Sequence, residues 1–160
     1  MKKIKELISS TNLNGISAYL NLHKKVKKEV ENMPIDYKNT VKLAILSTFN
    51  INGIKETLFI KCCELGVLSE INVGEYNQCF QDILNDESSL YKNDYNLIII
   101  FFDIRVILGE HYFLPYEISN IQRKDYIYEK FEEIKMLIGK LKEHLSSKLI
   151  LHNFEVPSFS

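Results

Sequence analysis

The sequence lacks an excess of charge of either sign and lacks cysteines in a metal-binding spacing. Across 160 residues, 20 Lys and Arg stand against 21 Asp and Glu, so the net charge of -1 creates no field that would attract nucleic acid or an anionic membrane. The three cysteines, two of them the adjacent pair Cys62 and Cys63, show neither CxxC nor Cys/His spacing. This favours buried, reduced thiols in a cytoplasmic protein over a zinc site.

Long hydrophobic runs are also missing. The first residues contain no apolar stretch of the ~7–15 residues that a signal peptide requires. The most hydrophobic run, Leu97–Phe102, is six residues long, far below the ~20 that cross a bilayer. We therefore expect neither secretion nor a membrane span. Hydrophobic residues at 46% and charged residues at 26% are typical of one globular domain rather than a disordered or collagen-like chain.

From about residue 40 onward, strand and helix patterns alternate. Strands are predicted at 41–46, 67–73, 97–102 and 148–152. Between them lie a predicted helix at 52–65, a short helix at 76–84 and a long helix at 131–145. Such alternation with short links predicts a three-layer α/β sandwich around a parallel, flavodoxin-like sheet. The run at 97–102 has no polar alternation, which predicts a strand covered on both faces.

We interpret residues 1–39 as a helical lead-in that packs on an α/β domain at 40–160. Met33-Pro34 should end the helix of the lead-in. Helical spacing places a stripe of mostly apolar residues on one side of this helix: Ile16, Tyr19, Leu20, His23, Val26 and Val30. Four lysines occupy the remaining surface: Lys24, Lys25, Lys27 and Lys28. They form either a solvated face or a docking face for an acidic partner.

Ligands of parallel α/β sheets bind beyond the carboxyl ends of the strands, so the residues that follow each predicted strand are site candidates. Ser47, Thr48 and Asn50 lie at a strand-to-helix turn, where a hydroxyl could act as a nucleophile or helix amides could hold an anion. The alternative is that these three residues cap the next helix. His152 follows the last strand and could serve as a base, or it could be a structural imidazole.

Three further sets of polar residues follow strands. Asp103 and Arg105 flank one residue and could bind a phosphate or carboxylate, or pair with each other. Tyr76 and Asn77 could contact a ligand or form a turn, and Asn153 is a further ligand candidate. None of these residues has the spacing of a metal site.

Several of these segments resemble, in order and spacing, the N-terminal, SGNH-hydrolase-like region of FkbH-like proteins of the HAD superfamily, subfamily IIIC. The resemblance covers nearly the whole chain and is carried by segments 44–53, 74–78, 83–85 with 88–91, 102–105 with 108–109, and 152–157. It implies a flavodoxin-type fold, in agreement with the prediction from periodicity.

The resemblance also implies a function for a longer parent protein. In that family a HAD catalytic domain with a DxDxT-type motif binds magnesium, and the protein forms a glyceryl thioester on an acyl carrier protein from an activated phosphoglycerate, in polyketide or related biosynthesis. These 160 residues contain no DxDxT-type motif. We therefore expect an accessory N-terminal domain that holds no cofactor itself, with magnesium in the HAD domain, an acyl carrier protein as partner and Lys24–Lys28 as its docking face.

An alternative is a divergent SGNH-type esterase or acyltransferase. Members with that activity carry a Gly-Asp-Ser block after the first strand, an Asn-containing block after the third, and a late DxxH. Here the first block reads Leu46-Ser47-Thr48-Phe49, the third reads Phe102-Asp103-Ile104-Arg105, and DxxH is absent. Ser47 or Thr48 would then need His152 or another histidine as base. A stand-alone carrier-binding module is a further alternative, and the oligomeric state is left open.

Overall fold

In the computed structural model, which describes residues 2–32 and 40–154, four parallel strands form one sheet of order β2-β1-β3-β4. The elements in chain order are α1 (Lys2–Ser9), α2 (Ile16–Glu31), β1 (Thr40–Ser47), α3 (Ile54–Glu64), β2 (Leu68–Val73), α4 (Cys79–Leu84), β3 (Leu97–Phe101), α5 (Ile104–Leu108), α6 (Glu110–Phe113), α7 (Asn120–His144) and β4 (Lys148–Leu151). The predicted three-layer α/β sandwich with a parallel sheet is confirmed.

Strand β1 pairs on both of its edges. Leu43 lies opposite Ile71 of β2 on one side and opposite Leu97 of β3 on the other. The chain passes from β1 to β2 and then returns across β1 to β3 and β4. The direction of strand addition therefore reverses between β1 and β3, which is where a crevice for a ligand forms in sheets of this kind.

Alternating side chains divide the core between the two faces of the sheet. On the face covered by α4 and α7, here called the α7 side, the buried residues include Ala44, Leu46, Ile98, Ile100, Leu137 and Leu141. On the opposite face, the α3 side, Leu43, Ile45 and Ile71 pack with residues of α3. The prediction that β3 is covered on both faces is confirmed on the α7 side, where Ile98 and Ile100 are fully buried. On the α3 side the coverage is partial, because Leu97, Ile99 and Phe101 are half-buried.

Over its described residues, 2–32, the lead-in contains two helices rather than one. Helices α1 and α2 pack on the outer surface of α3 through a cluster of buried residues: Ile4, Ile8, Leu22, Val26, Ile60 and Cys63. The predicted stripe is therefore displaced, since Leu22 is buried while Ile16 is half-exposed. The predicted helix end at Met33-Pro34 lies outside the described residues.

Ile16 nevertheless has a structural role at the beginning of α2. A Cβ atom added to Gly53 would lie 2.2 Å from Cδ1 of Ile16, and Gly53 adopts a positive φ of +84°. The positive φ favours glycine at this position, and a side chain there would also have to displace that of Ile16.

Three other local predictions differ from the structure. Helix α4 begins at Cys79, so Tyr76 precedes it and is largely exposed. The long helix α7 begins at Asn120 rather than at the predicted residue 131, and Phe131 is more than half exposed. Helices α5 and α6 were not predicted, because segments of five and four residues are too short to show a helical period. Among the described residues, no helix is long and apolar enough to cross a membrane.

The division between buried and exposed sheet residues gives a stability prediction. Ile100→Ala should lower the free energy of unfolding by about 2–5 kcal/mol, because its fully buried side chain would leave a cavity. Ile150→Ala is the matched control on β4, where the side chain is 49% exposed, and should cost clearly less. Urea denaturation of both variants checks this, and equal losses would contradict the described core.

Candidate functional site

A cavity of about 260 Å³ lies at the carboxyl ends of β1 and β2, bounded by the loop that enters α3. Its lining includes Ser47, Asn50, Lys55, Gly74 and Tyr76. Three site candidates from the sequence, Ser47, Asn50 and Tyr76, therefore come together here. The others do not line this cavity: Thr48, Asn77, Asp103, Arg105, His152 and Asn153.

The hydroxyl of Ser47 is committed to its own turn. Ser47 is 6% exposed, its Oγ donates a hydrogen bond to the carbonyl oxygen of Phe49 at 2.8 Å, and it accepts one from the Phe49 N–H at 3.1 Å. Asn50 closes the following turn, since its Oδ1 accepts from the N–H of Asn52 at 3.0 Å. Both residues thus form turns before α3. The alternative that they cap α3 is wrong, because the N-cap residue is Gly53 and no side chain makes a capping hydrogen bond there.

Thr48 is buried at the place where strand order reverses. It is 2% exposed, and its Oγ1 accepts a hydrogen bond from the Asp103 N–H at 2.9 Å. Its own N–H donates to the carbonyl oxygen of Phe101 at 3.1 Å. Thr48 therefore joins the ends of β1 and β3 and closes the crevice between them, and its hydroxyl does not face the cavity.

Asp103 and Arg105 pair with each other. Asp103 caps α5 by accepting from the Arg105 N–H at 2.8 Å, and its carboxylate accepts from Nε and Nη2 of Arg105 at 2.9 and 2.6 Å. The hydrogen bonds from the Arg105 side chain hold the pKa of Asp103 below its usual range, against a smaller opposing effect of burial. The predicted ion pair at the strand end is present.

His152 lies on the wrong side of β3 to serve Ser47. Ser47 is in register with Phe101, and Ile100 with Leu151, so the residue after β4 is separated from Ser47 by the whole width of β3. Two strand spacings amount to about 10 Å between the two backbones. The rings of His152 and Phe101 pack with centroids 5.1 Å apart.

The other three histidines lie elsewhere. His23 packs edge-on against Phe59 at a centroid distance of 4.9 Å, and burial lowers its pKa. His111 packs against Tyr126 at 4.7 Å, and His144 lies 3.9 Å from a carboxylate oxygen of Asp86. Within residues 2–32 and 40–154, no histidine makes a hydrogen bond to the hydroxyl of Ser47 or Thr48.

The remaining candidates are peripheral. Asn77 is exposed and takes a positive φ of 58°, which fits the turn before α4. Asn153 is exposed and its Oδ1 accepts from the Phe154 N–H at 3.1 Å.

The cavity has polar features that the sequence interpretation did not single out. Lys55 and Glu56 line it from the first turn of α3, whose N-cap residue Gly53 makes no side-chain capping hydrogen bond. The first turn of a helix carries N–H groups without intrahelical partners, so this end of α3 is electropositive. The available signal was that Lys55 lies at the start of the helix that follows β1. The cavity can accommodate a small polar group, but it holds no activated nucleophile.

Near the cavity, Gly74 allows β2 to end against α4. A Cβ atom at Gly74 would lie 3.2 Å from Oδ2 of Asp82 and 3.2 Å from Cδ2 of Leu46. Burial, and to a lesser extent Glu75, raises the pKa of Asp82. The Asp82 side chain therefore lies close to Gly74, but it does not line the cavity.

Metal-binding residues do not cluster in the part of the chain that the structure describes, where no group of three or more His, Cys, Asp or Glu side chains could hold an ion. The residues present therefore do not fit a magnesium site. Burial raises the pKa of Cys63 to about 11 and that of Cys79 to about 12, so both thiols stay protonated near neutral pH. They fill the apolar core, as predicted.

Comparison with known proteins shows a fold relationship. No protein-family model and no curated protein matches the chain. A solved structure described as the N-terminal part of the protein BF1531 from Bacteroides fragilis, containing a phosphatase domain complexed with Mg, is similar with a TM-score of 0.63 at 16% identity. The match covers 85% of this chain and 34% of that one, so this chain spans about a third of its neighbour. At this identity the likeness shows the fold alone.

The hydrogen bond through which Thr48 joins β1 to the segment after β3 can be tested by substitution. Thr48→Val keeps the shape but removes the acceptor, so the buried N–H of Asp103 loses its partner and the free energy of unfolding should fall by about 1–3 kcal/mol. Thr48→Ser retains the acceptor and should restore most of the loss. Chemical denaturation measures the stability of both variants. A valine variant as stable as the wild type would show that this hydrogen bond does not stabilise the protein.

Proposed function

We propose that this chain is an accessory, non-catalytic SGNH-like domain of a longer FkbH-like protein, which helps to place an acyl carrier protein or its substrate for a HAD-type active site elsewhere in that protein. The observation that carries the non-catalytic assignment is the burial and hydrogen bonding of the Ser47 hydroxyl. Its hydroxyl is buried and bonded to Phe49 as both donor and acceptor, and it lacks a histidine partner.

Serine and threonine hydroxyls need an adjacent base to attack an ester, and removing the base leaves a weak nucleophile. His152 is separated from Ser47 by β3, and Thr48 uses its hydroxyl as an acceptor within the protein. Asp103 is held by Arg105 and is not available to orient a histidine. These contacts favour the accessory domain over the divergent esterase.

The length comparison supports a parent protein with further parts. The chain corresponds to 34% of a neighbour whose description includes a phosphatase domain with Mg. The described residues of this chain do not provide a magnesium ligand cluster, and the sequence carries no DxDxT-type motif. In this proposal the phosphoryl chemistry, the magnesium ion and the formation of a glyceryl thioester belong to the rest of the parent protein.

The lysine face of α2 supports a carrier-docking role. Lys24, Lys25, Lys27 and Lys28 are all exposed and lie on the side of α2 opposite the buried Leu22 and Val26. None of the four forms an ion pair with another described residue, whereas Lys3 pairs with Glu29 at 2.7 Å. A face of unpaired lysines is complementary to an acidic protein surface and would accelerate its association.

The non-catalytic assignment predicts that Ser47→Ala leaves any turnover of p-nitrophenyl acetate unchanged, because Ser47 is engaged in its turn. Ser146→Ala, at an exposed serine before β4, is the matched control. Initial rates for both variants and the wild type provide the measurement. A loss confined to Ser47→Ala would favour the esterase alternative.

The docking assignment predicts that replacing Lys24, Lys25, Lys27 and Lys28 together with glutamate weakens binding of an acidic acyl carrier protein about tenfold or more, mainly through slower association. It also predicts a weaker dependence on salt. The control carries the same charge change on other exposed lysines, Lys124, Lys135, Lys142 and Lys148. Titration calorimetry at two salt concentrations compares the carrier affinity of the two quadruple variants. An equal loss of affinity in both would show that net charge alone is responsible.

A further inference from the structure

A groove of about 290 Å³ lies on the α7 side of the molecule, where α4, α5 and α7 meet. Its lining is apolar except for Lys130 and Glu133, and it shares no residue with the polar cavity at the ends of β1 and β2. At this groove Leu84, Val106 and Met136 are 49%, 43% and 58% exposed. Exposed apolar surface concentrated in one concave place indicates a binding surface, in contrast to apolar residues scattered singly.

The groove has a packed floor and an adaptable rim. Phe80 stacks on the buried Phe102 with ring centroids 5.6 Å apart, and Leu137 is 4% exposed. The thioether side chain of Met136 is flexible and adjusts to the shape of a partner. Residues 130–137 of α7 cover two turns, about 10 Å of helix, which matches the spacing of i, i+4 and i+7 anchors on a partner helix. The shape therefore suits an amphipathic helix.

The lysines at the groove are engaged within the protein. Lys130 Nζ lies 2.7 Å from Oε1 of Glu133. At the end of α4, Lys140 pairs with Asp86 at 2.8 Å and donates to the carbonyl oxygen of Leu84 at 2.7 Å. Neither lysine therefore offers its positive charge to an acidic partner.

An acidic row runs along α7 beside the groove. Helical spacing places three exposed carboxylates on the side of α7 that carries Met136: Asp125, Glu129 and Glu143. None of these three carboxylates forms an ion pair with another residue that the structure describes. Unpaired carboxylates beside an apolar groove are complementary to a helix whose apolar stripe is bordered by Lys or Arg.

We propose that the groove and the acidic row together form a docking site for a basic amphipathic helix of a partner protein. Apolar side chains of that helix enter between α4 and α7, and its Lys or Arg side chains pair with the carboxylates of the acidic row. This site goes beyond the proposed function, because it lies on the α7 side of the sheet, whereas the lysine face belongs to α2, which packs on α3.

A second copy of this chain fits the groove less well. Helix α2 is rich in lysine, but its apolar side is already buried, since Leu22 and Val26 are 1% and 0% exposed. Helix α7 exposes Ile127 and Phe131 on its other side, away from Met136. That side could reach the groove of a second copy only head-to-tail, which builds open chains or rings rather than a two-fold dimer.

The experiment uses two fluorescein-labelled, 18-residue amphipathic peptides, one of leucine and lysine and one of leucine and glutamate, and measures their binding to the protein by fluorescence anisotropy. The lysine peptide should bind about tenfold or more tightly than the glutamate peptide, and added salt should weaken its binding. Met136→Arg should weaken binding of the lysine peptide about tenfold, because it places a positive charge in the groove. The matched control is Phe131→Arg, at a residue of α7 with nearly the same exposure, 59%, and it should leave the affinity unchanged.

The acidic row is tested without altering the groove. Replacing Asp125, Glu129 and Glu143 by Asn, Gln and Gln should weaken binding of the lysine peptide and reduce its dependence on salt. The control removes three exposed carboxylates elsewhere, with Glu6→Gln, Asp94→Asn and Glu117→Gln. Because all six side chains are exposed, these variants keep the test decisive even if Met136→Arg lowers stability.

Three results would overturn the proposal. The first is equal binding of the lysine and glutamate peptides, and the second is an equal loss of binding in a variant and its control. The third is self-association of the protein, seen by light scattering and abolished by Met136→Arg, which would show that a second copy occupies the groove.

Discussion

The pairing of β1 on both of its edges is the constraint on which the rest of the fold depends. The register that places Leu43 between Ile71 and Leu97 also places Ala44 and Leu46 against α7 and Ile45 under α3. A shift of one residue would exchange the two faces and bury the wrong set of side chains. Thr48 fixes this register at the carboxyl end, where its two hydrogen bonds hold β1 to the segment that follows β3.

Much of this architecture was predictable, because apolar runs and alternation carry the information. All four strands, β1 to β4, lie within one residue of their predicted bounds. The partial coverage of β3 on the α3 side was not predictable, since it depends on which neighbouring element covers that face. The short helices α5 and α6 have too few residues to reveal a period.

The sequence predicted where the candidate site lies, but not what its residues do there. Strand ends correctly indicated where Ser47, Asn50 and Tyr76 meet, because the carboxyl ends of parallel strands share one edge. Whether a hydroxyl faces a cavity or closes a turn depends on hydrogen bonds that no sequence pattern specifies. Ser47 and Thr48 are adjacent, yet one lines the cavity while the other lies buried between strands. Polar residues at these strand ends thus make hydrogen bonds within and between the loops that follow the strands.

The contact between Gly53 and Ile16 links two regions that are far apart in the chain. Gly53 begins α3 and lines the cavity, while Ile16 begins the helix that carries the lysine face. A Cβ atom on Gly53 would overlap the side chain of Ile16, so the start of α2 packs directly against this loop. A substitution at Gly53 would therefore alter two places at once, the packing of α2 on α3 and the wall of the cavity.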